Sequence, residues 1–177
     1  MTQEGIAAEF HARAAKQGCN LSFPVCVTSG EDLRISTCLS PKNKLIRNSD
    51  IICIDAGLKQ DIFTTDMTRM FFLRNPEAEK IYKQLMFAHH EIIDKFIDPE
   101  LKWTSLINEY QGRFDEIPGV KRCLKEDFGH GIGFALHEHP MLEKSKDIIG
   151  CNIIFTIEPT FVTKFGMMRF EYMIAID

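Results

Sequence analysis

Four acids in this chain stand on segments that are otherwise strand-like and apolar. IICIDAGLKQDIFTTDMTRMFF carries Asp55 and Asp66, and IIFTIEPTFVTKFGMMRFEYMIAI carries Glu158 and Glu171. Read as antiparallel hairpins, the first pairs Asp55 with Asp66 about a turn between Gln60 and Asp61. The second pairs Glu158 with Glu171 about a turn between Lys164 and Phe165, just before Gly166. Directly opposed residues have Cβ atoms about 5 Å apart, and like charges there repel. A shared divalent cation explains why a sequence would do this twice. Hard cations take carboxylate oxygens, and two close metals can share bridging carboxylates. A fifth candidate ligand, His130, lies between two glycines in FGHGIGFALHEHPML, where the absence of Cβ atoms allows close backbone approach to a metal or substrate. His137 follows in the same segment. Taken singly, a strand-edge Asp is usually solvated and a Gly-His-Gly is often only a loop. Together they point to a metal site.

In order and spacing, Asp55, Asp66 in TDMTR, His130 in GHGIG, Glu158 in TIEP and Glu171 in RFE resemble the ligand set of the pita-bread metallopeptidases. That family includes methionine aminopeptidases, Xaa-Pro aminopeptidases and prolidases. The resemblance covers nearly the whole chain, Met1 to Asp177, and implies one catalytic domain over 1–177. The implied fold is α+β: a curved antiparallel sheet with helices on its outer face, acids on its inner face and two pseudo-two-fold related halves. The short turn between Glu158 and Glu171 is similar to the Xaa-Pro branch, whereas methionine aminopeptidases carry a longer excursion there. Arg169, on the same strand face as Glu171 by period-2 alternation, also resembles that branch.

The resemblance implies two divalent ions, with Mn, Co, Zn and Fe all suited to mixed carboxylate and imidazole ligands. Asp55 would hold one ion, Asp66 and Glu171 would bridge both, and His130 and Glu158 would complete the other. Glu158 would also carry the proton from a nucleophilic water to the leaving nitrogen. His137 would contact the substrate or the tetrahedral intermediate, and Arg169 would take part in substrate binding. The implied substrate is a peptide or dipeptide cleaved before proline. Without metal, each acid pair should hold a proton, because neighbouring carboxylates resist ionising together. Binding needs ionised acids and neutral His130, so activity should fall as pH drops.

Departures from the family pattern set the alternatives. Where the family has a His ahead of the first Asp, this chain has Cys38 in RISTCLSPK, and a thiol is a weak donor without positive charge near neutrality. Ile62-Phe63 replaces the usual Gly-Tyr before the second Asp, which suggests a different turn or bulge. The family's preceding helix is also missing, so the expected domain is truncated at both ends: either the sequence is a fragment of a longer product, or a partner or dimer mate covers the exposed sheet face. One alternative is therefore a metal-binding but catalytically impaired interaction module. Another is a methionine aminopeptidase-like or creatinase-like hydrolase.

The elements that must position these residues read as follows. An amphipathic helix spans 3–17, with Thr2 as N-cap, Gly18 as stop and Ile6, Phe10 and Ala14 on one face. Strands are expected near 22–28 and 33–38, and the first acid hairpin near 51–73. A long helix over about 76–97 turns Ile81, Leu85, Ala88, Ile92, Ile93 and Phe96 inward and leaves His89 and His90 on its surface. A helix from Thr104 to about Phe114 precedes the His segment and the second hairpin. The 177 residues, 45% hydrophobic, suffice for one sizeable core. A net charge of −4 gives no footprint for nucleic acid or an anionic membrane, and no apolar run approaches a membrane span. The six cysteines are widely spread without a CxxC pair, so reduced thiols and a cytoplasmic, reducing compartment are expected rather than a disulfide framework.

Overall fold

The structure, a computed structural model, describes residues 1–123 and 128–177. Helix α1 (Gln3–Lys16) begins where the Thr2 hydroxyl accepts the Gly5 amide at 3.0 Å, as an N-cap does. Gly18, at φ 73°, turns the chain out of it. Strands β1 (Asn20–Leu21) and β2 (Cys26–Ser29) follow, and a 3-10 turn occupies Gly30–Arg34. The strand expected over 33–38 is absent. Only Leu33 and Thr37 are buried there, and the 3-10 turn carries the chain back past β2 instead of extending it.

Strands β3 (Ile51–Asp55), β4 (Leu58–Gln60), β5 (Phe63–Thr64) and β6 (Thr68–Phe72) build the first hairpin. An antiparallel sheet runs β2-β3-β6, and β1-β4-β5 forms a smaller ribbon beside it. The β3–β6 register pairs Asp55 with Thr68, not with Asp66, and β4–β5 pairs Gln60 with Phe63. The turn therefore centres on Asp61-Ile62, one residue later than the sequence suggests. Asp61 takes φ 53°, a left-handed conformation that Asp accepts far better than a β-branched residue. Ile62 stands in this tight turn, with no bulge. A register change of two preserves side-chain facing, so Asp66 keeps the face of Asp55.

The second half starts with α2 (Pro76–Phe96), capped by the Asn75 side chain on the Ala78 amide, and α3 (Trp103–Asp115). Strands β7 (Lys121–Arg122), β8 (His130–Gly131), β9 (Glu138–Met141), β10 (Ile153–Ile157), β11 (Thr160–Thr163), β12 (Gly166–Arg169) and β13 (Tyr172–Ile176) complete it. Their antiparallel orders are β13-β10-β8-β9 and β12-β11-β7. The second hairpin keeps its predicted frame: Thr160 pairs with Arg169, Thr163 with Gly166 and Ile153 with Ile176. Helices α2 and α3 press Leu85, Ile92, Trp103, Leu106, Tyr110 and Phe114 onto Phe155, Ile157, Phe161 and Phe170. Each such side chain contributes about 1.5–3 kcal/mol on burial, so this layer anchors the hairpin from behind.

His89 belongs to that layer rather than to the helix surface. It is 1% exposed, its Nδ1 lies 2.9 Å from the Tyr110 hydroxyl, and its ring stacks on Tyr172. Burial pushes its pKa down to about 3. It is thus a neutral core histidine, while His90 is exposed as expected. The two halves are stitched where the Glu171 amide donates to the Thr68 carbonyl at 3.3 Å. An Arg69 Nη bonds the Thr68 and Glu171 carbonyls, and its guanidinium lies over the Tyr172 ring. Among the described residues, no helix is long and apolar enough to cross a membrane.

Candidate metal centre

All four acids stand where a β-ladder stops. Asp55 is the last residue of β3, and Asp66 falls in the gap between β5 and β6. Glu158 falls between β10 and β11, and Glu171 between β12 and β13. A side chain at such a break is released from strict alternation and can turn inward. Gly57 permits the first break: a Cβ there would collide with the Thr65 carbonyl oxygen. The glycines around His130 act likewise. A Cβ on Gly129 would strike the Thr156 carbonyl, and one on Gly131 the His139 carbonyl. Their smallness therefore accommodates neighbouring backbone on both sides of His130.

The five predicted ligands converge. Asp55, Asp66, His130, Glu158 and Glu171 are each at least nine-tenths buried. His130 Nε2 lies 3.3 Å from Glu158 Oε1 and 3.9 Å from Asp66 Oδ2. Potential ligand atoms of Asp55, Asp66 and Glu171 lie within 4.8 Å of one another, as do those of His130, Glu158 and Glu171. His137 also comes within that range of Asp66 and His130, and its ring meets His130 edge-on at 4.2 Å between centroids. Arg169, predicted on the same face, reaches Asp55 at 3.5 Å and Glu158 at 3.1 Å.

Several supporting residues were not singled out from the sequence. Thr68 donates its hydroxyl to Glu171 Oε2 at 3.0 Å, Thr160 accepts Arg169 Nε at 2.8 Å, and Thr156 accepts the His130 amide at 3.2 Å. His130 Nδ1 lies 2.9 Å from the Gly131 carbonyl, a contact that fixes the ring with Nε2 facing the acids. Period-2 alternation from Asp66 would have marked Thr68 as facing the site. The same alternation from Glu158 would have marked Thr156 and Thr160, two residues to either side of it.

The electrostatics match a site built for cations. Burial, then the charges of Asp55 and Glu158, push Asp66 up to about 7. Burial raises Asp55 to about 6 even though Arg169 opposes the shift, and Glu171 is raised well above the ordinary carboxylate range. For His130, burial lowers the pKa, but the nearby Glu158 carboxylate, the Gly131 carbonyl and the Asp66 charge outweigh it and raise it. Asp55 Oδ1, Asp66 Oδ1, His130 Nε2 and Glu171 Oε1 are buried without a hydrogen-bond partner. Orphaned buried polar atoms are costly, and four aimed into one acidic cluster fit divalent cations. A cleft of about 310 Å³ opens onto the cluster, lined by Phe23, Cys38, Asp55, Asp66, Leu136, His137, Glu158 and Arg169.

Beside that cleft lies a departure from expectation. Cys38 is disulfide-bonded to Cys26, while Cys19, Cys53, Cys123 and Cys151 are free. The expectation of reduced thiols throughout is corrected for this pair. The 3-10 turn brings residue 38 back against β2, an adjacency that sequence spacing alone does not reveal.

This fold is of the pita-bread type, and the buried carboxylate–imidazole cluster sits within it. The chain belongs to metallopeptidase family M24, whose model matches residues 1–177. It is 26% identical over 170 residues to an uncharacterized peptidase of Methanocaldococcus jannaschii, covering 93% of this chain and 47% of that protein. It is 25% identical over 138 residues to a Xaa-Pro dipeptidase of Pyrococcus horikoshii, covering 76% and 39%. Methionine aminopeptidases also occur among the matches. The crystal structure of an X-Pro aminopeptidase from Thermotoga maritima superposes with a TM-score of 0.87 at 22% identity, over 99% of this chain and 51% of that one. The chain thus spans about half the length of the curated relatives it matches.

Proposed function

We propose that residues 1–177 act as one catalytic unit, a dinuclear metal-dependent exopeptidase that cleaves the bond before proline. The observation that carries this reading is the set of four orphaned buried ligand atoms on Asp55, Asp66, His130 and Glu171, converging with Glu158 beside an open cleft. In this reading Asp55, Asp66, His130, Glu158 and Glu171 would hold the two ions, with Asp66 and Glu171 placed to serve both. When bound, divalent ions supply Lewis-acid polarisation of the scissile carbonyl and a water acidified toward neutrality.

The chain's own residues supply the rest. Glu158 takes the water's proton on a carboxylate oxygen and passes it to the leaving nitrogen. Arg169, held by Thr160, orients Glu158 and Asp55 and favours the ionised form of Asp55. Arg169 also lines the cleft, where it takes part in binding the substrate. His137, at the cleft wall beside His130, contacts the substrate carbonyl or the oxyanion that develops from it. Phe23 and Leu136 give the cleft an apolar wall that excludes water from part of the substrate.

The short Glu158–Glu171 hairpin and Arg169 favour the Xaa-Pro branch over the methionine branch. The ligand assignment is tested with Asp66→Ala and Glu171→Ala, each expected to abolish tight binding of the second metal. Retained two-metal stoichiometry would sink the bridging roles. The branch is tested by product analysis on Ala-Pro and Met-Ala-Ser. Faster release from Met-Ala-Ser would move the protein to the methionine aminopeptidase branch.

A further inference from the structure

Cys26 and Cys38 are placed where a covalent change would be felt by the metal centre. Cys26 lies directly opposite Asp55 in the β2–β3 register, on the same sheet face. Cys38 is exposed and forms part of the cleft wall with Asp55, Asp66, His137, Glu158 and Arg169. Their Cα atoms are 5.2 Å apart, inside the roughly 4.4–6.8 Å range that a disulfide requires. The approach does not depend on the sulfur–sulfur bond. Val27 donates its amide to the Leu39 carbonyl at 3.2 Å, Leu39 donates its amide to Thr28 Oγ1 at 3.0 Å, and the Cys38 amide donates to Ser36 Oγ at 3.1 Å. The backbone therefore holds both sulfurs in reach whether they are oxidised or reduced. Cys53 and Cys123, by contrast, are buried and have no paired sulfur.

We propose that Cys26 and Cys38 are a reversible thiol–disulfide site in the cleft wall, and that their exchange partner is a low-molecular-weight disulfide. The exposed Cys38 thiolate attacks one sulfur of the small disulfide and expels a small thiolate, which takes up the Cys38 proton. The Cys26 thiolate then attacks Cys38 Sγ in the mixed disulfide, expels the second small thiolate, and closes the protein bond. Two cysteine thiols are oxidised and one small disulfide is reduced to two thiols. Two small thiols reverse the sequence. In the oxidised state the bond ties the wall carrying Cys38 to the strand that pairs with Asp55. In the reduced state that tie is gone, and a free Cys38 thiol faces the cleft. The site's redox state thereby sets how firmly Asp55 is held for a divalent ion, which rests on the ligand reading above.

The test uses the whole protein equilibrated with mixtures of oxidised and reduced glutathione, then differential alkylation, peptide mapping by mass spectrometry and Mn²⁺ titration calorimetry. The expected result is a Cys26–Cys38 cross-link that forms and reverses, with the other four cysteines remaining as thiols, as alkylation after denaturation shows. Mn²⁺ affinity should differ about tenfold between the two states, the size typical of changes just outside a metal's ligands. Cys26→Ser should leave Cys38 carrying a stable mixed disulfide, and its Mn²⁺ affinity should not respond to reductant. Cys26→Ala, with folding checked by circular dichroism, repeats that arm with a side chain that cannot donate. Scrambled or absent cross-links overturn the exchange site, and a clean cross-link with unchanged Mn²⁺ affinity overturns its effect on the centre. No readout uses hydrolysis, so an inactive peptidase and a failed thiol site are told apart.

Discussion

Replacing Asp66 by Asn should stabilise the metal-free protein at alkaline pH and destabilise it, relative to wild type, once metal is added. Asp66 is raised from 3.8 to about 7 by burial and by the Asp55 and Glu158 charges. An acid whose folded-state pKa lies above its unfolded value favours folding only while protonated. The metal-free wild type should therefore lose stability as pH climbs from about 4 to about 7, and the loss should then level off. At about 1.4 kcal/mol per pKa unit, a shift of this size costs about 4 kcal/mol if Asp66 bears it alone, and about 2 kcal/mol if Asp55 shares the load. Asn mimics the protonated acid in shape, so near pH 4 the two proteins should be equally stable. At pH 8 in EDTA the variant should be more stable by about 2–4 kcal/mol on the same reasoning. Excess Mn²⁺ should invert the order, because the wild type gains binding energy that the variant has lost. Urea unfolding at several pH values, with chelator and with metal, reads all of this. A variant whose difference from wild type does not change with pH would refute the electrostatic account of the cluster.

Three further outcomes follow from particular contacts. Thr68→Val deletes the hydroxyl on Glu171 Oε2 with little change of shape, and Mn²⁺ affinity by calorimetry should fall about tenfold; unchanged affinity would remove Thr68 from the site's support. His137→Ala should lower kcat/KM about a hundredfold with metal stoichiometry intact, whereas loss of a metal would place His137 among the ligands beside Asp66 and His130. His89 is buried neutral, with its pKa pushed from 6.5 to about 3, so the unfolded chain takes up a proton first and stability should fall as pH drops through that window. In EDTA, His89→Phe should show a shallower acid decline than wild type, at a constant cost of about 1–3 kcal/mol for the unpaired Tyr110 hydroxyl. Parallel curves would show that His89 does not titrate in this way.

What could be read from the sequence depended on how locally each feature is encoded. The second hairpin's frame was legible because Gly166 and two alternating apolar runs fix its turn. The first was misplaced by one residue, since nothing in KQDIF announces that Asp61, rather than its neighbours, takes the left-handed conformation. The acids and His130 were identifiable by type and order, yet their positions at ladder breaks are visible only in the fold. His89 was misread because its polar side chain was weighed above its position: four residues after Leu85 and three before Ile92, it lies on the inward face, where Tyr110 and Tyr172 close over it. The Cys26–Cys38 pair escaped for another reason: a 3-10 turn at Gly30–Arg34, followed by irregular chain where a strand was expected over 33–38, is what brings the sulfurs together.

The central claim is that this cluster is a working metal-dependent peptidase centre, and hydrolysis of Ala-Pro tests it most directly. Protein stripped with chelator, then reconstituted with Mn²⁺, should release free proline, while the chelated control and Glu171→Ala should not. Folded protein that binds two Mn²⁺ ions but releases no proline from Ala-Pro or Met-Pro and no arginine from Arg-Pro-Pro would contradict the claim and leave a metal-binding domain without peptidase activity.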